Sequence, residues 1–257
     1  MANVFDLNGK KGLVVGIANE NSIAYGCARH FCAAGAEVAV TYLNAKAEKF
    51  VRPLAEGLNS PLILPMNVED DGEVNAVFQA IEQQWGKLDF LVHSIAFAPL
   101  EDLHGRVVDC SADGFKRAMD ISCHSLIRMT KLAEPLMKDG GTVLTMTYYG
   151  SEKVVKNYNI MGPVKAALES TARYLAMELG EKKIRVHAVS PGPLLTRAAS
   201  GIGHFDELMQ QAIERSPEHM LVTIDDVGAT AAFLVSDAAK GLTGNTMYVD
   251  AGYHIAG

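Results

Sequence analysis

The sequence predicts an α/β protein, a single-domain, doubly wound sheet of seven parallel strands with helices on both faces. Three observations predict it. Short, continuously apolar runs recur along the chain, as strands buried on both faces require. Between them lie stretches with apolar residues at i, i+3, i+4 and i+7, the pattern of amphipathic helices. The first run ends on a glycine and a polar turn that leads into a helical pattern, which offers backbone amides to a phosphate. No repeat, linker or low-complexity stretch divides the 257 residues, so one dinucleotide-binding and catalytic domain over 1–257 is expected.

Gly12-Leu-Val-Val-Gly16 reads as the first strand and turn. Asn21 or Ser22 is placed to cap the following helix, and Gly16, Ser22 and the helix N-terminus to receive a pyrophosphate. The second strand, Glu37–Tyr42, ends at Leu43 and Asn44, where a dinucleotide fold often carries an acid for the ribose. With neither acid nor arginine there, these residues do not choose between NADH and NADPH. A helix over about Ala45–Gly57 leads to a third strand, Pro61–Met66, closed by Asn67 and Val68, whose amide can reach an adenine edge.

Val74, Val77, Phe78, Ile81 and Trp85 form a helical stripe ended by Gly86. The fourth strand, Leu88–His93, delivers Ser94-Ile-Ala-Phe-Ala-Pro99 at its carboxyl end, the edge where open α/β sheets bind ligands. A long helical pattern over Ser111–Met137 precedes the fifth strand, Gly140–Met146. The sixth is Ile184–Val189 and the last Thr246–Asp250. Right-handed crossovers make the first and fourth strands neighbours at the switch point. After the sixth strand, residues 194–216 are irregular and then helical, with Ile202, Phe205, Leu208 and Met209 as apolar surface; they are expected to cover substrate.

Composition narrows the function. Hydrophobic content of 49% with 21% charged residues belongs to a soluble globular protein, and a net charge of −7 argues against a nucleic-acid partner. No run reaches the length of a membrane span, and MANVFDLNGKKG lacks the apolar core of a signal peptide, so a cytoplasmic location is expected. The cysteines at 27, 32, 110 and 123 form no Cys-x-x-Cys pair and the eight histidines are scattered; buried thiols and no metal are expected.

The chemistry concentrates between Tyr148 and Lys165. Tyr158 and Lys165 stand seven residues apart, and apolar residues follow at Val164, Leu168, Leu175 and Leu179. If that helix begins near Tyr158, its phenol and the ammonium project from one face. A fixed positive charge would then favour the ionised phenol and strengthen it as a donor to a developing oxyanion. Tyr148 brings a second phenol to the same region.

Taken together, Gly16-Ile-Ala-Asn-Glu-Asn-Ser-Ile-Ala-Tyr-Gly26, His93-Ser-Ile-Ala-Phe-Ala-Pro99, Tyr148 with Tyr158-x6-Lys165, and Pro193–Ile202 resemble the Rossmann-type short-chain dehydrogenase/reductase family over essentially the whole chain. Within it they are similar to the divergent branch of bacterial enoyl-acyl-carrier-protein reductases. General members place a serine thirteen residues before the tyrosine and three residues between tyrosine and lysine. Here Thr145 and a six-residue spacer stand instead, against a ketoacyl or small-ketone reductase; a non-catalytic dinucleotide-binding protein is the more distant alternative.

The resemblance implies that Gly16, Ser22 and Ile23 hold the pyrophosphate of NADH and that Asn67 and Val68 contact its adenine. Ser94, Ile95, Leu194, Leu195, Thr196, Arg197 and Ala198 frame the nicotinamide, with NADPH as the other cofactor open to it. It implies that Lys165 binds the ribose hydroxyls, that Tyr158 donates to the thioester carbonyl, and that Tyr148 and Ala98 contact substrate. It also implies a homotetramer acting on enoyl thioesters of acyl carrier protein. Three departures accompany it. Asn67 replaces a common aspartate, Pro163 stands two residues before Lys165, and His204–Glu207 is acidic where an acidic carrier favours basic residues, leaving Arg197, Lys153 and Lys156.

Overall fold

The computed structural model describes residues 3–196 and 205–256. Among them, seven parallel strands form one sheet in the order β3-β2-β1-β4-β5-β6-β7. The strands are β1 (Lys11–Val15), β2 (Glu37–Tyr42), β3 (Ile63–Pro65), β4 (Phe90–His93), β5 (Gly141–Met146), β6 (Ile184–Pro191) and β7 (Thr246–Val249). β1 pairs with both β2 and β4, with Leu13 opposite Ala39 on one side and Leu91 on the other. The strand order therefore reverses beside β1, as expected, and opens a crevice at its carboxyl end.

Side-chain alternation divides the core between the two faces of the sheet. Leu13, Leu91 and Val143 point to one face, against α3 (Asp71–Trp85), α6 (Ser125–Ala133) and α7 (Met161–Leu179). Val14, Val92 and Leu144 point to the other, against α1 (Ile23–Ala33), α2 (Ala45–Gly57) and α9 (Ile224–Val235). Helix ends are closed by local chemistry. Asn44 Oδ1 accepts the amides of Lys46 and Ala47, Thr223 and Asp226 form a reciprocal capping box, and Gly86 ends α3 in the left-handed conformation. Asn44, at the end of the second strand, is thus committed to capping α2.

Three local readings change. The region 111–137 is helical nearly throughout but not uniform: α5 (Ala112–Met119) passes through a π-helical turn over Asp120–His124 into α6 and ends in a 3-10 turn over Glu134–Leu136 that contains Pro135. The wider π turn directs Ser122 Oγ to Phe97, where it accepts from the amide at 2.9 Å and donates to the carbonyl at 3.0 Å. Second, α7 starts at Met161, so Tyr158 precedes the helix. Asn157 and Asn159, at φ 65° and 46°, hold left-handed conformations that interrupt helical geometry on either side of it. Pro163 falls in the first turn of α7, where its missing N–H costs no helical bond. Third, of the four cysteines only Cys27 and Cys123 are buried; Cys32 and Cys110 are half-buried.

Candidate active site

The site forms where the sheet's carboxyl edge delivers its loops. A cavity of about 710 Å³ opens there, walled by the turns after β1, β4, β5 and β6 and by α8 (Phe205–Arg215). From the first turn come Gly16, Ser22 and Ile23; from the segment after β4 come Ser94, Ile95 and Ala98. Tyr148, Tyr158 and Lys165 line the same cavity, with Leu194 and Thr196 after β6. Leu195 is exposed, and Asn67 and Val68 lie outside the cavity, after β3 and two strands from β1. There the Asn67 Oδ1 accepts the Glu69 amide, while the Val68 carbonyl accepts from Arg128. Arg197 and Ala198, with Ile202 of the expected cover, lie outside the described residues.

The turn after β1 is shaped to admit another backbone. Gly16 adopts φ +115°, and a Cβ there would stand 2.0 Å from the Ser94 carbonyl oxygen. The Ser22 side chain does not cap α1. Its Oγ instead accepts the amides of Ala18 and Asn19 at 2.9 and 3.1 Å, fixing the loop over the crevice. Gly16→Ala is expected to strain this turn by about 1–3 kcal/mol and to weaken dinucleotide binding by roughly 5- to 150-fold, the same energy expressed as affinity. Fluorescence titration with NADH checks it.

Two phenols and an ammonium face the cavity, and all three are buried. The Tyr148 and Tyr158 rings meet edge to face at 4.9 Å. Gly150 packs beneath them; a Cβ on it would lie 2.5 Å from the Tyr158 ring. The Tyr148 hydroxyl is buried without a hydrogen-bond partner among the described residues, a donor left open toward the cavity. Burial raises Tyr158 well above the usual phenol range, with Tyr148 and Glu169 adding to it, and burial likewise raises Tyr148, with Tyr253 and Asp250 adding. This corrects the expectation of a phenol pushed toward ionisation by Lys165: both phenols are protonated donors. Lys165 Nζ donates to the Met146 carbonyl at 2.7 Å, and burial pulls its ammonium down to about 8, opposed by Glu169 and Cys123.

Behind the cavity, His93 is fully buried and lowered to about 3 by burial first and by Lys165 second. Its tautomer follows from its partners. Ser125 Oγ donates to the Ile121 carbonyl at 2.6 Å, so it accepts from His93 Nε2–H at 2.8 Å. His93 Nδ1 then accepts the Thr145 hydroxyl at 2.8 Å. Thr145 is therefore turned away from the cavity with its proton committed. Thr145→Val should leave Nδ1 unpaired and cost about 1–3 kcal/mol of stability, whereas Thr145→Ser should be nearly neutral; denaturant melts check both.

Further side chains complete the cavity wall. Phe97 carries Arg117 over its ring at 4.8 Å, and Arg117 is paired with Glu69 at 2.9 Å. Met161 and Leu208 add apolar wall. The HSIAFAP run contained the signal for Phe97, but the contact from Arg117 comes from a distant helix and leaves none. Asn159 Nδ2 donates to the Leu103 carbonyl at 2.6 Å, tying the Tyr158 turn to the short helix α4 (Leu100–His104).

Comparison with known proteins agrees with this geometry. Residues 16–254 match a family model described as enoyl-(acyl carrier protein) reductase. An enoyl-[acyl-carrier-protein] reductase [NADH] of Rhizobium meliloti is 48% identical over 249 residues, covering 97% of this chain and 93% of the relative. The crystal structure of the Anaplasma phagocytophilum reductase in complex with NAD superposes with a TM-score of 0.94 at 47% identity, over 98% of this chain and 96% of that one. The Bacillus cereus reductase, solved with NADP+ and an indole naphthyridinone, gives 0.95 at 46% identity over 98% of each chain.

Proposed function

Because the chain belongs to the enoyl-[acyl-carrier-protein] reductase family, we propose that it reduces the trans-2 double bond of enoyl thioesters on acyl carrier protein with NADH, in fatty acid elongation. One observation of the site carries the reading. Two protonated phenols converge on an apolar cavity, while the Thr145 hydroxyl, standing where a ketone reductase would carry a serine, is bound to His93. The cofactor's fit rests on the turn after β1, where Gly16, Ser22 and Ile23 line the cavity, and on the buried Lys165 ammonium beside it, while the unpartnered Tyr148 hydroxyl is left for the substrate.

Bound NADH supplies a hydride to the β-carbon of the enoyl group. The chain's residues do the rest. Tyr158 donates to the thioester carbonyl oxygen as negative charge gathers there, an interaction stronger in the transition state than in the ground state. Tyr148 offers the second hydroxyl and orients the thioester. Lys165 holds the ribose hydroxyls through its ammonium, and Gly16, Ser22 and Ile23 shape the pyrophosphate turn. Ile95, Leu194 and Thr196 wall the nicotinamide end, and Leu208 supports the reading of the 194–216 segment as a cover over the acyl chain.

The carrier and the assembly belong to the same reading. Lys153, Lys156 and Arg215 line a second cleft that also contains Glu207 and shares Leu208 with the first cavity, which supports approach of an acidic carrier from that side. Exposed apolar residues on α7 (Tyr174, Met177) and on α5–α6 (Phe115, Ile127) support a homotetramer built on these helices, which sedimentation of the purified protein tests.

The activity is tested by following nicotinamide absorbance with a medium-chain trans-2-enoyl thioester beside a 3-ketoacyl thioester, with NADH and NADPH in separate reactions. Oxidation of NADH with the enoyl substrate alone is expected. Oxidation with the ketoacyl substrate alone would overturn the reading.

A further inference from the structure

Two charged side chains of α7 are buried, and the mechanism uses only one of them. Glu169 follows Lys165 by four residues, one helical turn, and is 5% exposed beside a lysine at 4%. Its Oε1 accepts the hydroxyls of Thr147 and Ser151, both at 2.6 Å. Lys165 Nζ meanwhile binds the carbonyl of Met146. The ammonium and the carboxylate thus grip consecutive residues, 146 and 147, at the point where β5 gives way to Tyr148. Burying a carboxylate without an opposite charge is costly, and one helical turn away is the ammonium that offsets it.

We propose that Glu169 is a positioning residue for the reductase: its carboxylate keeps Lys165 in the ammonium form and ties the Tyr148 loop to α7. The proposal rests on the reading of Lys165 as the ribose ligand. The titratable groups facing the pair are Cys123 from the π turn, His93 at the end of β4, Tyr148 and Tyr158 over the cavity, and Tyr248 on β7, which Glu152 and Asp250 also approach. Burial acts on the ammonium against its charge, and the Glu169 carboxylate is the larger of the two opposing influences, ahead of Cys123. Without that carboxylate the ammonium loses its proton at a lower pH.

Glu169→Gln tests this, since the amide oxygen still accepts both hydroxyls and only the charge is removed. The measurement is a pH titration of the ¹³Cε resonance of Lys165 in lysine-labelled full-length protein, assigned by its loss in Lys165→Met. NADH affinity is measured over the same pH range. The Gln variant should move the Lys165 midpoint down by about 1 pH unit, the effect of losing a nearby opposite charge. NADH affinity near pH 8 should fall up to roughly tenfold per unit of that displacement and recover toward acid pH. Glu169→Asp withdraws the charge by one methylene and should move the midpoint by a smaller part; it carries the same test if the Gln variant does not fold. A midpoint unmoved in either folded variant overturns the proposal, and a purely structural Glu169 would lower thermal stability without displacing it. A midpoint that moves while NADH affinity does not follow supports Glu169 as the holder of the Lys165 proton and removes Lys165 from the ribose site.

Discussion

Tyr158→Phe should lower turnover on a trans-2-enoyl thioester by roughly 10²–10³-fold, about 3–4 kcal/mol of barrier, with NADH affinity nearly intact. The expectation follows from what the substitution spares. The Tyr158 ring packs on Gly150 and edge to face on Tyr148, contacts a phenylalanine retains. Only the hydroxyl is lost, the group that in the proposed mechanism donates where charge develops on the thioester oxygen. Since burial keeps both phenols protonated, turnover should show no loss at acid pH traceable to protonation of a tyrosinate. Near-normal turnover of the variant would remove Tyr158 from its assigned role.

The second large effect is expected at Lys165. Lys165→Ala removes a charged donor, and loss of such bonds costs about 1.5–3 kcal/mol, or roughly 10- to 150-fold in NADH affinity. The wild-type enzyme should show the same dependence in its pH profile. Burial lowers the ammonium from 10.5 to about 8, so it is charged below that value and progressively neutral above it. NADH affinity should therefore be level below pH 8 and weaken as pH rises through it. Calorimetric titration across this range checks both statements, and affinity indifferent to the substitution would exclude Lys165 from the cofactor.

Much of this architecture was legible because it rests on local periodicity. The apolar runs from Gly12 and Glu37 and the stripe from Val74 to Trp85 each emerge as the element their spacing implies, and the neighbouring of β1 and β4 follows from crossover handedness. The misplacement of Tyr158 on a helix has an equally local cause. Two turns of helix do span seven residues, but Asn157 and Asn159 take left-handed conformations that asparagine tolerates, so the phenol reaches the cavity from a turn. Paired asparagines ahead of Gly162-Pro163 were the available signal for that late helix start.

What stayed hidden depends on contacts between distant segments. Glu169 reads as one more polar residue of a helix until β5 places Thr147 against it. Ser125, Thr145 and His93 lie on three separate elements, and only their assembly shows that the threonine proton is spent on the imidazole. The π turn has no periodic signature, because it adds one residue to a helical pattern that otherwise continues. Electrostatics followed the same rule. Sequence proximity suggested that Lys165 would ionise Tyr158, whereas burial dominates both groups and drives each toward its neutral form.

The most direct test of the central claim is to trace the hydride. The enzyme is given NADH carrying deuterium at the transferable C4 position together with a trans-2-enoyl thioester of acyl carrier protein, and the product is analysed by mass spectrometry and NMR. The account predicts one deuterium on the β-carbon of a saturated acyl chain, a solvent proton on the α-carbon and an intact thioester. Deuterium on a carbinol carbon, or a saturated product without label at the β-carbon, would contradict it.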